Sequence, residues 1–298
     1  CVKFQSYRPE LLLTRDAPKP AYQVRETGLA QSQYDRLSQL ALSPGDHRRL
    51  QAACVGEGVM FCSSPFDQPS LDLLLELDVP LVKIASGEIT NLPLLEAAGC
   101  SGKPLLVSTG MSELDEIEAA LAALRSSGRC GEVVLLHCVS DYPARWRDAN
   151  LRAIATLRER FGAPAGFSDH TPEPELPMAA VALGAVVVEK HITLDRSLPG
   201  NDHKASLEPG EFARMTSLIR RLGPAMGDGC KRCTASELDV RAAARKSLVA
   251  AASIRAGEEF TPRNVACKRP GTGMAPVRLP QLLGRRAGRD YAPDELLD

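Results

Sequence analysis

Two histidines, His170 and His191, each close a short apolar segment, in the runs Ser168-Asp169-His170 and Glu189-Lys190-His191. One histidine at a strand end is an ordinary capped residue. Two that end successive strands of one parallel sheet are neighbours in space. With the carboxylates Asp169 and Glu189 beside them in sequence, they suit a divalent metal that keeps open positions for water or substrate. Lys3 and Lys83 lie in similar strand-end clusters, where a lysine does not simply reach bulk water and wants an anionic partner. Ser64, Ser86, Ser108, Ser140 and Ser168 add hydroxyls to the same set, and Ser108-Thr109-Gly110 stands just before an expected helix start at Ser112, where free N–H groups attract phosphate. Any one of these serines is more often a turn residue than a ligand. Together, two lysines, five serines and a helix start describe a site for a small, multiply charged phosphorylated acid. His47, in a polar helix, and His137, expected to face packing, read as structural. The Cys230-Lys231-Arg232-Cys233 run lacks the second pair that a zinc site needs and reads as linker.

The elements that must position these groups alternate along the first 220 or so residues, roughly as a βαβα pattern demands. Strands are expected at Val2–Gln5, Val59–Cys62, Leu81–Ile84, Pro104–Val107, Val133–His137, Ala165–Phe167 and Val186–Glu189. Leu114, Ile117, Leu121 and Leu124 repeat at helical spacing, with Ser112 and Asp115 as a capping-box-like start and Gly128 as the stop. Leu151, Ile154 and Leu157 predict a second helix ended by Gly162, and Phe212, Met215, Leu218, Ile219 and Leu222 a longer third. Chemistry sits at every strand end and at no strand start. A closed parallel barrel gathers all its carboxyl ends on one face, whereas an open doubly wound sheet concentrates them at one switch point. Seven loaded ends favour a TIM (β/α)8 barrel, with the eighth strand expected before residue 1. After Gly223 the character changes: a Gly-, Lys- and Cys-containing linker leads into short strands at Ser247–Ala251 and Val265–Lys268. The expected organisation is a barrel over 1–227, a linker over 228–242 and a small β-rich domain over 243–298, marginal alone and leaning on the barrel or on a second subunit.

Composition removes several classes. Lys and Arg number 36 against 37 Asp and Glu, so net charge gives no case for nucleic acid or an anionic membrane. The longest apolar run, Met178 to Val188, is too short to span a bilayer. Nine scattered cysteines, an odd number, read as free thiols in a reducing cytoplasm. No glycine-rich nucleotide loop occurs, and a single Trp with 4% aromatics argues against a base-stacking platform.

The strand-end runs together resemble a known family. Val2-Lys3-Phe4-Gln5, Lys83-Ile84-Ala85-Ser86-Gly87-Glu88, Leu106-Val107-Ser108-Thr109-Gly110-Met111, Leu136-His137-Cys138-Val139-Ser140, Ser168-Asp169-His170-Thr171, Glu189-Lys190-His191-Ile192-Thr193-Leu194-Asp195 and Asn201-Asp202-His203-Lys204-Ala205-Ser206-Leu207-Glu208-Pro209 resemble the N-acetylneuraminate (sialic acid) synthases. Lys268-Arg269-Pro270-Gly271-Thr272-Gly273 is similar to the signature of that family's antifreeze-like (SAF) domain. The resemblance spans nearly the whole chain in order. It implies a TIM barrel joined to an SAF domain in a domain-swapped homodimer, condensing phosphoenolpyruvate with N-acetylmannosamine and water to give N-acetylneuraminate and phosphate. By resemblance, Lys3, Ser64, Lys83, Ser86, Ser108, Ser140 and Ser168 bind phosphoenolpyruvate, and His170 and His191 hold manganese or magnesium. Gln5, Tyr142 and Asp202 contact the sugar, and Arg269 is lent by the partner subunit. Glu88 and Glu189 are candidates for proton handling, unranked between them.

The family's first strand, with a Glu and an Asn-His segment, would precede Cys1, so the sequence is expected to lack its first βα unit. A rival within the same chemistry is a legionaminic acid synthase acting on 2,4-diacetamido-2,4,6-trideoxymannose, distinguished by residues around Thr27–Tyr34 and Pro199–Lys204. A rival of another class, a non-catalytic SAF-domain binding protein, predicts a degraded lysine and histidine set. Lys3, Lys83, His170 and His191 are all present.

Overall fold

The structure is a computed structural model describing residues 1–19, 24, 32–200 and 202–298. It divides into two units, Cys1–Gly227 and Asp228–Asp298.

In the first unit, β1 (Val2–Ser6) pairs in parallel with β2 (Phe61–Pro65). A five-stranded parallel sheet follows, in the order β3 (Val82–Ile84), β4 (Leu105–Ser108), β5 (Val133–Cys138), β6 (Ala165–Asp169), β7 (Val188–Lys190). Helices fill the crossovers that parallel pairing requires. The sheet curls so far that Lys3 on β1 meets Glu189 on β7. This is the α/β barrel-type fold expected, and most strands run one to three residues further toward the loaded ends than the apolar runs suggest.

Alternation explains why one sheet serves as both core and site, because successive side chains of a strand point to opposite faces. Val82, Ile84, Leu105, Val107, Leu135, Ala165 and Phe167 face the helices and are buried with Leu71, Leu95 and Leu124 in one apolar cluster. Residues one position away, Lys3, Lys83, Ser108, Ser168 and Glu189, face the opposite side. His137 falls on the helix side, stacked on Phe167 with ring centroids 6.1 Å apart and its Nε2 2.8 Å from the Ala149 carbonyl. His47 lies in the polar helix Pro44–Gly56 and is buried, with Nε2 2.6 Å from Ser6 Oγ and Nδ1 2.9 Å from the Ser43 carbonyl.

One helix start differs from expectation. The helix spans Leu114–Arg125 and is capped by Glu113 and Glu116, not by Ser112 and Asp115. The Glu116 carboxylate accepts the Glu113 N–H at 2.8 Å, while Ser112 Oγ turns back to the Gly110 carbonyl at 3.2 Å. Carboxylates thus sit at the favourable end of this helix dipole.

In the second unit, β8 (Ser247–Ala250) and β9 (Val265–Lys268) form an antiparallel pair, extended by the bridges Val249–Leu296, Ile254–Tyr291 and Glu259–Arg286. Leu248, Ile254, Phe260, Leu282, Tyr291 and Leu297 form its own small core. A helix, Leu238–Ala244, precedes β8. The turn after β9 is held by Ser247, whose Oγ donates to the Pro270 carbonyl at 2.7 Å and accepts the Gly273 N–H at 2.9 Å. Gly271 N–H donates to the Ala242 carbonyl at 2.7 Å, and a Cβ on Gly271 would lie 2.5 Å from Arg245 Cβ, so the turn passes the helix end only without a side chain there.

All nine cysteines are free thiols. Among the described residues no helix is long and apolar enough to cross a membrane.

Candidate active site

Glu189 is the hub of the site face. Its carboxylate accepts from Lys3 Nζ at 3.1 Å and from Ser168 Oγ at 3.2 Å, and Lys83 Nζ lies 3.6 Å away. Burial alone would raise the Glu189 carboxyl, but the Lys83 and Lys3 ammonium groups outweigh it and bring the pKa down to about 2. Lys83 is buried, with Nζ also donating to the Ile84 carbonyl at 3.0 Å, and that burial pushes its pKa below the usual lysine value. Two lysines thus share one carboxylate in this cluster.

His170 and His191 extend the β6 and β7 alternation one step past the strand ends, with ring centroids 5.3 Å apart. The Val139 carbonyl lies 2.6 Å from His170 Nδ1 and can only accept, so that nitrogen carries the proton. A neutral His170 then has a bare Nε2, 3.5 Å from Ser168 Oγ. Burial lowers the pKa of both rings; for His191, burial, the Lys3 charge and His170 together take it down to about 3. Tyr142 lies over the pair, its ring centroid 4.2 Å from that of His170 and 5.8 Å from that of His191.

Two neutral imidazoles, one with its second nitrogen fixed by a backbone carbonyl, have the chemistry of metal ligands. The donor set stops at that pair: among the described residues no group of three His, Cys, Asp or Glu side chains stands arranged for an ion. Such a pair would fill part of a coordination shell and leave the rest to water and substrate.

Asp169 is not part of this set, contrary to expectation. It faces the helix side and is fully buried in an ion pair with Lys190, Nζ to Oδ2 2.6 Å. The reason is parity. Ser168, His170, Glu189 and His191 share one face, so Asp169 and Lys190, one residue off, must share the other.

The serines are brought together in part. Ser64 Oγ and Ser108 Oγ are buried and have no hydrogen-bond partner among the described residues. A buried hydroxyl without a partner is costly, which marks both as open to a ligand. Ser86 Oγ accepts the Gly110 N–H at 3.0 Å and lies 3.2 Å from Cys138 Sγ. A Cβ on Gly110 would come within 2.3 Å of Ser140 Oγ, 2.8 Å of Cys138 Sγ and 2.9 Å of Ser86 Oγ. Those three polar groups therefore converge on one glycine. Gly110 and Cys138 are the residues that sequence reasoning missed here, and parity was the available signal for Cys138, which pairs in register with Ser168.

Gln5 shares the face of Lys3, two residues on, and is exposed. Asp202 feels the charges of Arg36 and Lys3, yet burial dominates and raises its carboxyl pKa. Glu88 stands apart from the Glu189 hub: it accepts from Asn91 Nδ2 at 2.7 Å, and burial with the nearby Asp67 charge raises its pKa. Arg269 belongs to the second unit, in the turn after β9. Of the sugar-distinguishing stretches, Thr27–Gln31 and Asn201 lie outside the described residues.

Comparison with known proteins gives a consistent picture. The NeuB family model matches residues 1–231, and the SAF domain model matches residues 245–298. The chain is 42% identical to an N,N'-diacetyllegionaminic acid synthase of Campylobacter jejuni, over 99% of this chain and 89% of that protein. It is 34% identical to the N-acetylneuraminate-9-phosphate synthase of Mus musculus, over 88% of this chain and 72% of that one. The solved N-acetylneuraminic acid synthetase of Leptospira borgpetersenii, in complex with citrate, superposes with a TM-score of 0.69 at 34% identity, covering 80% of this chain and 78% of that one.

Proposed function

Because the chain belongs to the NeuB family of sialic-acid-type synthases, we propose that its barrel face condenses phosphoenolpyruvate with an N-acetylated mannose-type aldose and water, releasing phosphate and a nonulosonic acid. The observation that carries this is the cluster of Lys3, Lys83 and Glu189 set directly beside two neutral imidazoles.

Phosphoenolpyruvate brings a carboxylate and a phosphate to one small molecule. Lys3 and Lys83 neutralise them, and the partnerless hydroxyls of Ser64 and Ser108 gain acceptors, as do Ser86, Ser140 and Ser168 around them. With that charge screened, the electron-rich methylene carbon attacks the aldehyde carbon of the open-chain sugar and forms the new C–C bond. Water adds at the resulting cationic carbon, and the tetrahedral product expels phosphate. Glu189 stays ionised throughout, and its contacts hold Lys3 and Ser168 in place at the reacting groups. Of the two carboxyls proposed for proton handling, Glu88 has the pKa raised by burial and accepts from Asn91, whereas Glu189 is held as an anion by the two lysines. Gln5, Tyr142 and Asp202 serve the sugar. Arg269 reaches the site from a partner subunit in a domain-swapped homodimer. His170 Nε2 and the His191 ring would hold a divalent ion, Mn2+ or Mg2+, which when bound supplies Lewis-acid polarisation of the aldehyde oxygen.

Two sugars compete for the second substrate. N-acetylmannosamine would give N-acetylneuraminate. The 42% identity with a protein named as an N,N'-diacetyllegionaminic acid synthase supports 2,4-diacetamido-2,4,6-trideoxymannose instead. Phosphate release measured with phosphoenolpyruvate, Mn2+ and each sugar separates them. Release that requires phosphoenolpyruvate and one of the two sugars supports the proposal. Absence of release with both, in a folded protein that binds phosphoenolpyruvate, overturns it.

A further inference from the structure

We propose that the buried Asp169–Lys190 pair is a positioning clamp that fixes the His170 and His191 imidazoles relative to one another. The proposal rests on the reading of those rings as the reactive pair of the site, and assigns the clamp itself from the opposite face of the same strands.

Asp169 and Lys190 are register partners across β6 and β7, and theirs is the last rung of that ladder. The next residue on each strand is an imidazole. Lys190 Nζ donates to Asp169 Oδ2 at 2.6 Å, and neither side chain has any solvent exposure. The network is wider than one pair. Thr171 donates to Asp169 Oδ1 twice, from its backbone N–H and from Oγ1, each at 2.9 Å, and the Thr171 carbonyl accepts from Lys190 Nζ. Beyond this rung the imidazole-bearing residues are tied to other segments, the His170 carbonyl by Ala144 N–H and the His191 carbonyl by Leu207 N–H. The ion pair is thus the final direct link between the two strands before they separate.

Stability alone does not account for charges at this place. The helix side of the sheet is apolar, and Phe167 precedes Asp169 on the same face. Desolvating two ions there costs more than burying two hydrocarbon chains of similar volume, and apolar replacement of buried pairs is often neutral or stabilising. What the ions add is direction. A carboxylate with two Thr171 donors and one ammonium has a single arrangement, and a one-residue slip between the strands would move every site residue to the wrong face.

The test uses the full chain with Asp169→Leu/Lys190→Met, which replaces both charges by apolar groups of similar size, and with Thr171→Val, which removes one donor to Asp169 and nothing else. Histidine side chains are labelled with 15N and their tautomers read by NMR without metal at pH 7.5, and Mn2+ affinity is then measured by electron paramagnetic resonance. In the parent, His170 shows one tautomer with the proton on Nδ1. The double variant is expected to remain folded, to show His170 and His191 signals moved toward tautomer-averaged positions, and to bind Mn2+ about 10- to 100-fold more weakly. Thr171→Val should move the same signals in the same direction by less, and it decides the matter if the double variant does not fold. Unchanged histidine signals and Mn2+ affinity in the folded variants overturn the clamp, even where the parent condenses its substrates. A parent that binds no Mn2+, with variants that still shift the histidine signals, leaves the clamp standing and rejects the metal part of the proposed function.

Discussion

The site face of the barrel and the Pro270–Gly273 turn of the second unit are held in place by opposite means. On the barrel face, order comes from charge: Glu189 collects Lys3, Lys83 and Ser168, and its removal leaves both lysines without their carboxylate. In the turn, order comes from one hydroxyl and a missing side chain: Ser247 ties Pro270 to Gly273, and Gly271 leaves room for Arg245. The first arrangement spreads damage through a network, whereas the second confines it to a few residues. Buried ions are costly to leave unpaired, while a lost neutral hydrogen bond costs only its own desolvation.

Substitutions should expose that difference in graded steps. Glu189→Ala leaves Lys83 buried without its carboxylate, and it should cost roughly 3–5 kcal/mol of stability in urea unfolding and abolish phosphate release. Retention of parental stability would show that the hub is not what holds the face. Gly110→Ala tests crowding: its new Cβ must displace Ser140, Cys138 or Ser86, and misplacement of that order should lower kcat/KM about 100-fold with little loss of global stability. Parental turnover in this variant would remove those three groups from the site. Ser247→Ala should cost about 1–3 kcal/mol, seen as earlier unfolding of the second unit while the barrel transition stays put. Coupled loss of both units would contradict the confinement. The smallest signal comes from mixing inactive Arg269→Ala with inactive His191→Ala protein. Subunit exchange should restore partial turnover if Arg269 acts across a dimer, and no recovery in freely exchanging mixtures rejects that role.

Much of this was legible in the sequence because the chemistry was written at strand ends. Ser168, His170, Glu189 and His191 stand at or just past the ends of apolar runs, Lys3 and Lys83 sit within short strands of the same sheet, and a parallel sheet that curls puts them together. Sequence order alone did not reveal which neighbour of each histidine faces the site. Asp169 and Glu189 look alike beside their histidines, yet strand parity sends one into an ion pair behind the sheet and the other into the hub. The helix after β4 lies where its apolar spacing puts it, but its capping box sits one residue further on than the Ser112–Asp115 pair suggests, because Glu113 and Glu116 repeat the same spacing and the Glu116 carboxylate takes the Glu113 N–H. Gly110 carries no signal of its own, and Cys138 only its strand parity with Ser168. Their importance arises from three side chains on different segments converging at one point, which only tertiary packing specifies.

The central claim is that the barrel face binds phosphoenolpyruvate through half-buried Lys3 and buried Lys83, and calorimetric titration of phosphoenolpyruvate into the parent chain and into Lys83→Met tests it most directly. Loss of one charge-assisted contact to an anionic ligand should weaken binding by about 100-fold. His137→Phe, altered on the helix side of the same sheet, should bind as the parent does. Parental affinity in a folded Lys83→Met protein would contradict the account.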